Sequence, residues 1–313
     1  MPELPEVEVV RAGLEPAVTG ALVTSVTVFD ERSLRRHPGP SEDFIDRLVG
    51  SRMLVPERRG KFLWIPLAEV LDGVPRSQAP SALGSRNRWR DCPSSTALVT
   101  HLGMSGQVLL RDRATDDQRT RIRLDLEHPV HGPLRLNFVD QRIFGSMAID
   151  ALVPTADHPE QLVPSAVSHI ARDPLDLRFD DARFLARLAA KNTTIKRALL
   201  DQTLISGIGN IYADESLWAA RVHYEQPTAT LSRPKAKLLL AEVRLVLTKA
   251  LSEGGTSFDA QYLNVNGQSG YFAHSLNAYG RQGEPCPRCG RPIVRESFMN
   301  RGSHFCPWCQ RLR

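Results

Sequence analysis

The sequence predicts an α+β protein of more than one domain, with an N-terminal helix and a two-sheet β-sandwich followed by a helical domain that ends in a β-hairpin. Three observations support this prediction. About eight short strand patterns follow one another without intervening helices in the first half of the chain. Helical patterns replace them beyond residue 180, and two Cys-x2-Cys pairs lie near the end. At 313 residues, the chain is also longer than one hydrophobic core commonly serves.

A helix is predicted at the N-terminus. Pro5 suits a first helical turn, and the acidic side chains of Glu6 and Glu8 face the positive end of the helix dipole. Apolar residues then recur at helical spacing until the chain reaches Gly20.

The strands are predicted from Val- and Thr-rich runs and from alternation of polar and apolar side chains. Arg121–Leu126 and Leu134–Val139 alternate with a period of two, which is typical of half-buried antiparallel strands. A flattened barrel is the alternative to the sandwich. The other strand candidates are Ala21–Phe29, Met53–Pro56, Lys61–Leu67, Ala97–Leu102, Gln107–Leu110 and Phe144–Ile149. Asp72–Ser95 is rich in Pro, Ser, Gly and Arg, which predicts a surface insertion with a free thiol at Cys92.

Four helices are predicted in the second half of the chain. The last begins at Ser232, has Pro234 in its first turn, and ends at the pair Gly254-Gly255. The predicted helices are Asp181–Lys191, Thr194–Gln202, Asn210–Arg221 and Leu231–Glu253.

Composition limits the class of protein without fixing it. Forty basic residues against 35 acidic ones give a net charge of +5 and a pI of about 9.1, which permits a nucleic acid partner. The sequence has no apolar run long enough for a membrane span and no signal-peptide pattern at its start. We therefore expect a cytoplasmic protein without a membrane partner.

The cysteine spacing predicts a metal site. Cys286-x2-Cys289 is followed, after sixteen residues, by Cys306-x2-Cys309. Each pair can hold one side of a tetrahedral Zn²⁺ ion, and four thiolates leave no open coordination position, so the zinc is expected to be structural. Rubredoxin-like iron is the alternative.

The N-terminus combines a nucleophile with a carboxyl group. Removal of Met1 leaves Pro2 as a terminal secondary amine, whose attack on a sugar aldehyde carbon gives a cationic iminium without needing a proton. Glu3 is placed to give or take a proton beside it. The competing interpretation is that this segment only begins a helix.

The opening eight residues, Met1 to Glu8, closely resemble the start of the formamidopyrimidine-DNA glycosylases, bifunctional repair enzymes that excise oxidised purines and then cut the strand. The resemblance implies that Pro2 is the Schiff-base nucleophile and Glu3 the proton donor. The alternatives are an endonuclease VIII-like enzyme for oxidised pyrimidines and a non-catalytic zinc-finger DNA-binding protein.

Further motifs carry the same resemblance. The Gly207–Asn210 turn matches the family's helix-two-turns-helix element, which implies that Asn210 holds the DNA backbone. Lys191 and Lys196 lie where the family presents basic residues to DNA. Lys61 is implied to bind phosphate and help the first elimination, and Arg301 to grip phosphate and assist the second.

Two loops match the family's intercalating loops. They are His101–Gly106 and Asp140–Gly145, and the resemblance implies that Met104, Arg142 and Phe144 fill the space left by a flipped base. Many relatives have a histidine pair where this chain has Arg119-Thr120-Arg121. We therefore expect Arg119 to contact DNA there.

The resemblance also implies the domain plan. We expect a catalytic β-sandwich domain at 1–150, a linker at 151–175, a helix-two-turns-helix domain at 176–255, a mobile lesion-recognition loop at 256–276 and a zinc-finger hairpin at 277–313. The expected substrate is double-stranded DNA containing damaged bases, such as 8-oxoguanine or formamidopyrimidines, or abasic sites. The protein is expected to be a monomer with one structural Zn²⁺ per subunit.

Overall fold

The computed structural model describes residues 2–68, 94–115, 117–255 and 275–312. The expected insertion, with Cys92, lies outside these residues except for its last two positions, and so does nearly all of the loop expected at 256–276. The chain divides into two compact units. The first contains Pro2 and Val7–Ser168, and the second contains Glu3–Glu6 with residues 169–255 and 275–312.

The first unit is an antiparallel β structure with two helices. Helix α1 spans Leu4–Val18, its first residues belonging to the second unit, and α2 spans Ser41–Leu48. The strands are β1 (Leu22–Val28), β2 (Arg52–Met53), β3 (Glu57–Arg59), β4 (Phe62–Ala68), β5 (Thr96–His101), β6 (Gly106–Arg111), β7 (Thr120–His128), β8 (Gly132–Asp140), β9 (Ser146–Pro154) and β10 (Leu162–Pro164).

These strands form a continuous hydrogen-bonded path in the order β10-β9-β5-β4-β2-β1-β7-β8-β6, with β3 paired to β4. Leu98 and Ile149, from one half of this path, are buried in the same cluster as Leu124 and Phe138 from the other half. The halves therefore pack face to face, which confirms the predicted sandwich. Strand β9 begins two residues later than predicted, so Phe144 lies in the preceding loop.

The second unit is helical and ends in a hairpin. Its elements are α3 (Asp181–Ala190), α4 (Ile195–Leu200), α5 (Asn210–Ala220), α6 (Arg233–Ser252), β11 (Val294–Phe298) and β12 (Arg301–Phe305). The four helices agree with the predicted ones to within two residues at each end. Of the helices in the described part of the chain, none is long and apolar enough to cross a membrane.

Helix α5 is unusual because nine of its eleven residues are buried, polar ones among them. A buried polar side chain is costly unless it finds a hydrogen-bond partner, so this helix must meet polar partners from other segments. Those partners form the site described below.

We expect Phe138→Ala to destabilise the β-sandwich by about 3–5 kcal/mol, because this fully buried ring would leave a cavity between the two halves of the sheet. Chemical denaturation of the purified protein measures the loss. Val130→Ala is the control, since Val130 is 58% exposed and its truncation should stay within about 0.5 kcal/mol. Equal effects of the two substitutions would contradict this packing.

Candidate active site and zinc centre

The Glu3 side chain is buried against the N-terminus of α5. Its Oε2 accepts hydrogen bonds from the backbone N–H of Gly209 at 2.5 Å and of Tyr212 at 3.4 Å, and its Oε1 accepts from Ile211 N at 2.9 Å. The first amides of a helix have no partners within the helix and carry the positive end of its dipole. They therefore hold the Glu3 carboxylate in a fixed position.

The glycine turn before α5 makes room for this arrangement. A Cβ atom on Gly209 would lie 2.8 Å from Glu3 Cγ and closer still to its carboxylate carbon, and one on Gly207 would lie 2.6 Å from Leu4 Cδ1. Gly207 also has a φ of +88°, which side chains disfavour. The Gly207–Asn210 turn therefore admits the N-terminal segment, in addition to presenting Asn210.

A second carboxylate fixes the backbone beside Glu3. Glu6 Oε2 accepts a hydrogen bond from Glu3 N at 2.8 Å, and Glu6 Oε1 accepts one from the Tyr212 hydroxyl at 2.6 Å. Leu4 N donates to Gly207 O at 3.0 Å. The segment that follows Pro2 is therefore held by both backbone and side-chain bonds, and Pro2 itself is buried.

Arg301 follows the tight turn of the hairpin. Phe298 pairs with Arg301, and the two intervening residues, Met299 and Asn300, have φ of +48° and +60°, as in a type I′ turn. The Arg301 side chain is exposed. The next residue, Gly302, accepts a hydrogen bond from Asn210 Nδ2 at 2.9 Å, so Asn210 is tied to the hairpin beside Arg301.

Lys196 departs from its predicted place at the DNA surface. It is fully buried, its Nζ lies 2.6 Å from Asp214 Oδ1, and it donates to Ser303 Oγ at 2.6 Å. Burial lowers the pKa of Lys196, and the Asp214 carboxylate opposes this effect. The amine is thus enclosed between α5 and the hairpin, where it holds Gly302 and Ser303 in place and cannot reach a phosphate.

Lys191 lies at the C-terminal end of α3 and forms an ion pair with Asp201 at 2.7 Å. Burial alone would raise the pKa of Asp201, but hydrogen bonds from Lys191 and Thr203 lower it to about 2. Asp201 is therefore ionised at neutral pH and balances the charge of Lys191.

Lys61 lies in the two-residue turn between β3 and β4, where Gly60 has a φ of +58°. Burial and then the positive charges of Arg36, Lys61 and Arg35 lower the pKa of His101 to about 4. His101 is therefore neutral at neutral pH, and its Nδ1 accepts a hydrogen bond from Gly103 N at 3.2 Å. The three cations near one neutral imidazole form a positively charged region of the first unit.

The two loops that carry the predicted void-filling residues are joined by Asp140, which is fully buried. Its Oδ1 accepts hydrogen bonds from Ser105 Oγ at 2.6 Å and Arg142 N at 3.1 Å, and its Oδ2 accepts one from Gly145 N at 2.6 Å. The loop at 102–105 and the loop at 141–145 therefore form one structure.

Close packing keeps this pair of loops rigid. A Cβ on Gly103 would overlap the backbone carbonyl of Phe144, and Arg35 donates to the carbonyl groups of Ile143, Phe144 and Gly145. Ile143 has a φ of +56°, which is strained for a β-branched residue. The strained backbone conformation of Ile143 is maintained by the packing and hydrogen bonds around this loop.

The side chains on these loops point outward. Met104 is 44% exposed and Phe144 is 50% exposed, and Arg142 is exposed as well. Large apolar side chains held outward on rigid loops suit insertion into a base stack better than a role in the core. Arg119 is also exposed, with a φ of +65°, just before β7.

The four cysteines converge as the spacing predicts. Their sulfur atoms all lie within 4.8 Å of one another. Four clustered thiolates are the donor set of a structural zinc ion, and the site fits one Zn²⁺. Trp218 Nε1 donates to Cys286 Sγ at 3.4 Å, and Gln310 Oε1 accepts from Cys306 N at 2.9 Å, so the metal-binding turns are themselves anchored.

The sequence indicated Glu6 as a second carboxyl group within reach of Pro2, but it did not indicate the other residues that position this site, namely Asp140, Arg35, Asp214 and Tyr212. Tyr212, Arg35 and Asp214 have partners far away in the chain, and Glu6 and Tyr212 are 206 residues apart. The position of Asp140 at the start of the Asp140–Gly145 loop, shortly before the exposed residues, could have indicated its role.

Comparisons with known proteins agree with this geometry. Residues 1–147 match the formamidopyrimidine-DNA glycosylase N-terminal domain, residues 170–261 match the H2TH domain of these enzymes, and residues 283–312 match the zinc finger found in FPG and IleRS. Formamidopyrimidine-DNA glycosylase of Leifsonia xyli is 62% identical, with full coverage of both chains. The enzyme of Streptomyces avermitilis is 51% identical, over 99% of this chain and 98% of its own.

Solved structures show the same fold. Lactococcus lactis Fpg in complex with DNA containing N7-benzyl-Fapy-dG has a TM-score of 0.79 and 29% identity, covering 99% of this chain and 100% of its own. The Thermus thermophilus MutM (Fpg) protein has a TM-score of 0.75 and 32% identity, with full coverage of both. Fold and site together define a zinc-bearing DNA glycosylase of base excision repair. The chain belongs to the formamidopyrimidine-DNA glycosylase family, for which AP lyase activity is typical.

We expect Gly209→Ala to lower the rate of lesion incision on the order of 100-fold, because the added methyl group displaces the Glu3 carboxylate from the α5 amides. Single-turnover incision of a lesion-containing duplex measures the effect. Gly132→Ala is the control for backbone strain alone, since Gly132 has a φ of +68° and a Cβ there meets nothing within 4 Å. Wild-type incision by Gly209→Ala would show that the carboxylate position does not matter.

We expect Cys289→Ser to lose zinc and incision while the β-sandwich stays folded, because zinc binding in such small units supplies about 10–16 kcal/mol of folding free energy. Bound metal, incision and circular dichroism are measured together. Cys92→Ser, which changes a cysteine outside the four clustered ones, should retain metal and activity. A metal-free Cys289→Ser protein that cuts at the wild-type rate would contradict a structural role for zinc.

Proposed function

We propose that Pro2 and Glu3 catalyse the removal of oxidised purines, 8-oxoguanine and formamidopyrimidines, from duplex DNA. The observation that carries this proposal is the buried Glu3 carboxylate, fixed by α5 amides directly after Pro2 in a chain of this family. A terminal secondary amine and an immobilised carboxyl group supply the nucleophile and the acid that the reaction needs.

In the proposed reaction, the Pro2 nitrogen forms a bond to C1′ and the bond from C1′ to the base breaks, its electron pair leaving with the base. The proton that the Pro2 nitrogen loses passes to the departing base. Glu3 donates a proton to the ring oxygen as the sugar opens, which leaves an iminium between Pro2 and C1′. The α5 amides stabilise the carboxylate that remains after the proton has gone. No redox change occurs in these steps.

The iminium then makes cleavage of the DNA strand possible. Its positive charge acidifies the C2′ hydrogens, and loss of one of these protons expels the 3′ phosphate by β-elimination. Loss of a further proton expels the 5′ phosphate by δ-elimination. We assign phosphate binding to Lys61 in the first elimination and to Arg301 in the second, because Lys61 lies within a tight turn and Arg301 directly follows one.

The proposed substrate is double-stranded DNA with a damaged base or an abasic site, bound by a monomer. Structures of the Lactococcus lactis relative contain N7-benzyl-Fapy-dG, an abasic site or an oxidised pyrimidine. We assign backbone contacts to Asn210, Lys191, Arg119 and Arg142. Lys196 is left out of this group because it is fully buried. We further propose that the protein works in the cytoplasm on nucleoid DNA.

Blocking the terminal amine tests the mechanism. An uncleaved N-terminal extension turns the Pro2 amine into an amide, whose delocalised lone pair is not nucleophilic. We expect this protein to bind a lesion duplex but neither to excise the base nor to form a borohydride-trapped covalent adduct. Full excision and full trapping by the extended protein would exclude Pro2 as the nucleophile.

The Glu3→Gln variant distinguishes base excision from strand cleavage. The variant should bind the lesion duplex and lose base excision, because the amide cannot donate the ring-opening proton. It should keep part of the cleavage at preformed abasic sites, where no base must leave. Equal loss of activity on the lesion duplex and on the abasic site would contradict the role of Glu3 as proton donor and indicate a structural role.

Phe144→Ala tests the void-filling loops. We expect it to slow incision of a paired lesion roughly tenfold or more, but to affect a preformed abasic site much less, because less unstacking is required there. Leu177→Ala, at a fully exposed leucine, is the matched control for loss of apolar surface. Equal losses on both substrates would contradict the assignment.

A further inference from the structure

The second unit carries a basic groove at the zinc-binding end of the hairpin, remote from the turn that bears Arg301. It has a volume of about 870 Å³ and runs between the end of α5, the start of α6 and the cysteine turns. Twelve described residues line it. Four of these are basic (Arg221, Lys235, Arg288 and Arg311) and none is acidic.

The basic side chains are held in place by aromatic rings. The exposed Trp308 ring lies between two guanidinium groups, with Arg291 Cζ at 3.4 Å and Arg311 Cζ at 4.0 Å from its centroid. Arg288 lies over Trp218 at 4.1 Å and donates to the Trp218 carbonyl at 3.0 Å. Positive charges fixed in this way lose little freedom when a ligand binds, which favours affinity.

An apolar pocket adjoins the groove. It has a volume of about 270 Å³ and lies between α3 and the start of α6, where Leu185, Ala186 and Leu188 line it. Arg233 is the one charged residue among the nine described residues around it. Leu231 lines both the pocket and the groove, so the two features form one surface with a charged part and an apolar part.

The basic groove lies away from Arg301, whereas the apolar pocket lies next to Lys191, since Thr228 lines the pocket and its hydroxyl donates to the Lys191 carbonyl. Cys289 and Cys309 line the groove. Arg301 is the first residue of β12 and lies at the other end of the hairpin, whose strands are five residues long. At about 3.4 Å per residue, such strands separate the two ends by roughly 14 Å. The phosphate contact assigned to Arg301 therefore does not use the groove.

We propose that this surface binds an acidic peptide segment of a partner protein. Carboxylates of the segment pair with Arg221, Arg288 and Arg311, and an apolar side chain enters the pocket beside Leu231. Charge complementarity selects the acidic part, and the pocket selects the apolar part. A nucleic acid backbone would satisfy the charges but has no apolar side chain for the pocket, so the composite surface favours a peptide.

Fluorescence anisotropy with the full zinc-loaded chain tests this proposal. The probe is a fluorescein-labelled peptide of alternating glutamate and leucine. Matched peptides replace either the glutamates by glutamine or the leucines by serine. We expect wild-type protein to bind the first peptide and to bind each matched peptide roughly tenfold more weakly. One matched peptide lacks the carboxylates for the groove, and the other lacks the apolar side chains for the pocket.

Two sets of variants locate the binding site. Lys235→Glu with Arg311→Glu should weaken peptide binding by at least about tenfold. Lys237→Glu with Arg113→Glu makes the same change of charge outside the groove and should leave binding unchanged. Ala186→Leu, which fills the pocket from an exposed helix position, should weaken the leucine peptide and spare the serine peptide.

Duplex binding and lesion incision are measured in parallel. All groove variants should incise a lesion duplex at the wild-type rate, so that failure of peptide binding is distinguishable from failure of the proposed repair reaction. Equal peptide affinities for the groove and control variants would overturn the proposal. Loss of duplex affinity in the groove variants, with peptide binding unaffected, would instead assign the groove to nucleic acid.

Discussion

The bond between the Glu3 carboxylate and the first amides of α5 is the interaction on which the catalytic arrangement depends. It satisfies backbone donors that would otherwise be buried without partners, and it fixes the carboxyl group that we propose as the proton donor. The same contact therefore joins the stability of the second unit to the proposed reaction.

Helix α5 extends this role along its length. Asp214 accepts a hydrogen bond from His304 N at 2.8 Å and pairs with Lys196. Glu215 accepts from the backbone N–H of Asn277, Ala278 and Tyr279, although its burial raises its pKa. Two consecutive residues of the helix thus hold two different parts of the C-terminal segment, and polar groups within the unit specify a single arrangement.

In the first unit, a single buried carboxylate likewise holds separate segments together. Asp140 is one buried carboxylate that receives hydrogen bonds from two loops, while Arg35 approaches the second loop from another element. Between them they leave Met104 and Phe144 exposed on rigid backbone. The exposure of these large apolar side chains fits the void-filling role that we propose for them.

Much of the fold could be predicted because its signals are local. Helical spacing and capping residues predicted the four helices of the second unit, and paired cysteines predicted the metal site. Lys196 shows the limit of such reasoning. Its burial depends on Asp214 and on Ser303, which is 107 residues away, and no pattern around Lys196 reveals either partner. The same long separation hid the connection between Glu6 and Tyr212.

The two-residue turn at Met299 and Asn300 limits how this hairpin can change over evolutionary time. Because side chains alternate between the faces of a strand, one inserted residue would exchange the face of Arg301 and Ser303 with that of Gly302 and His304. A substitution in β11, such as one at Ser297, leaves this register unchanged, whereas a single-residue change in the length of the turn does not. The hairpin thus accepts substitutions while rejecting insertions and deletions.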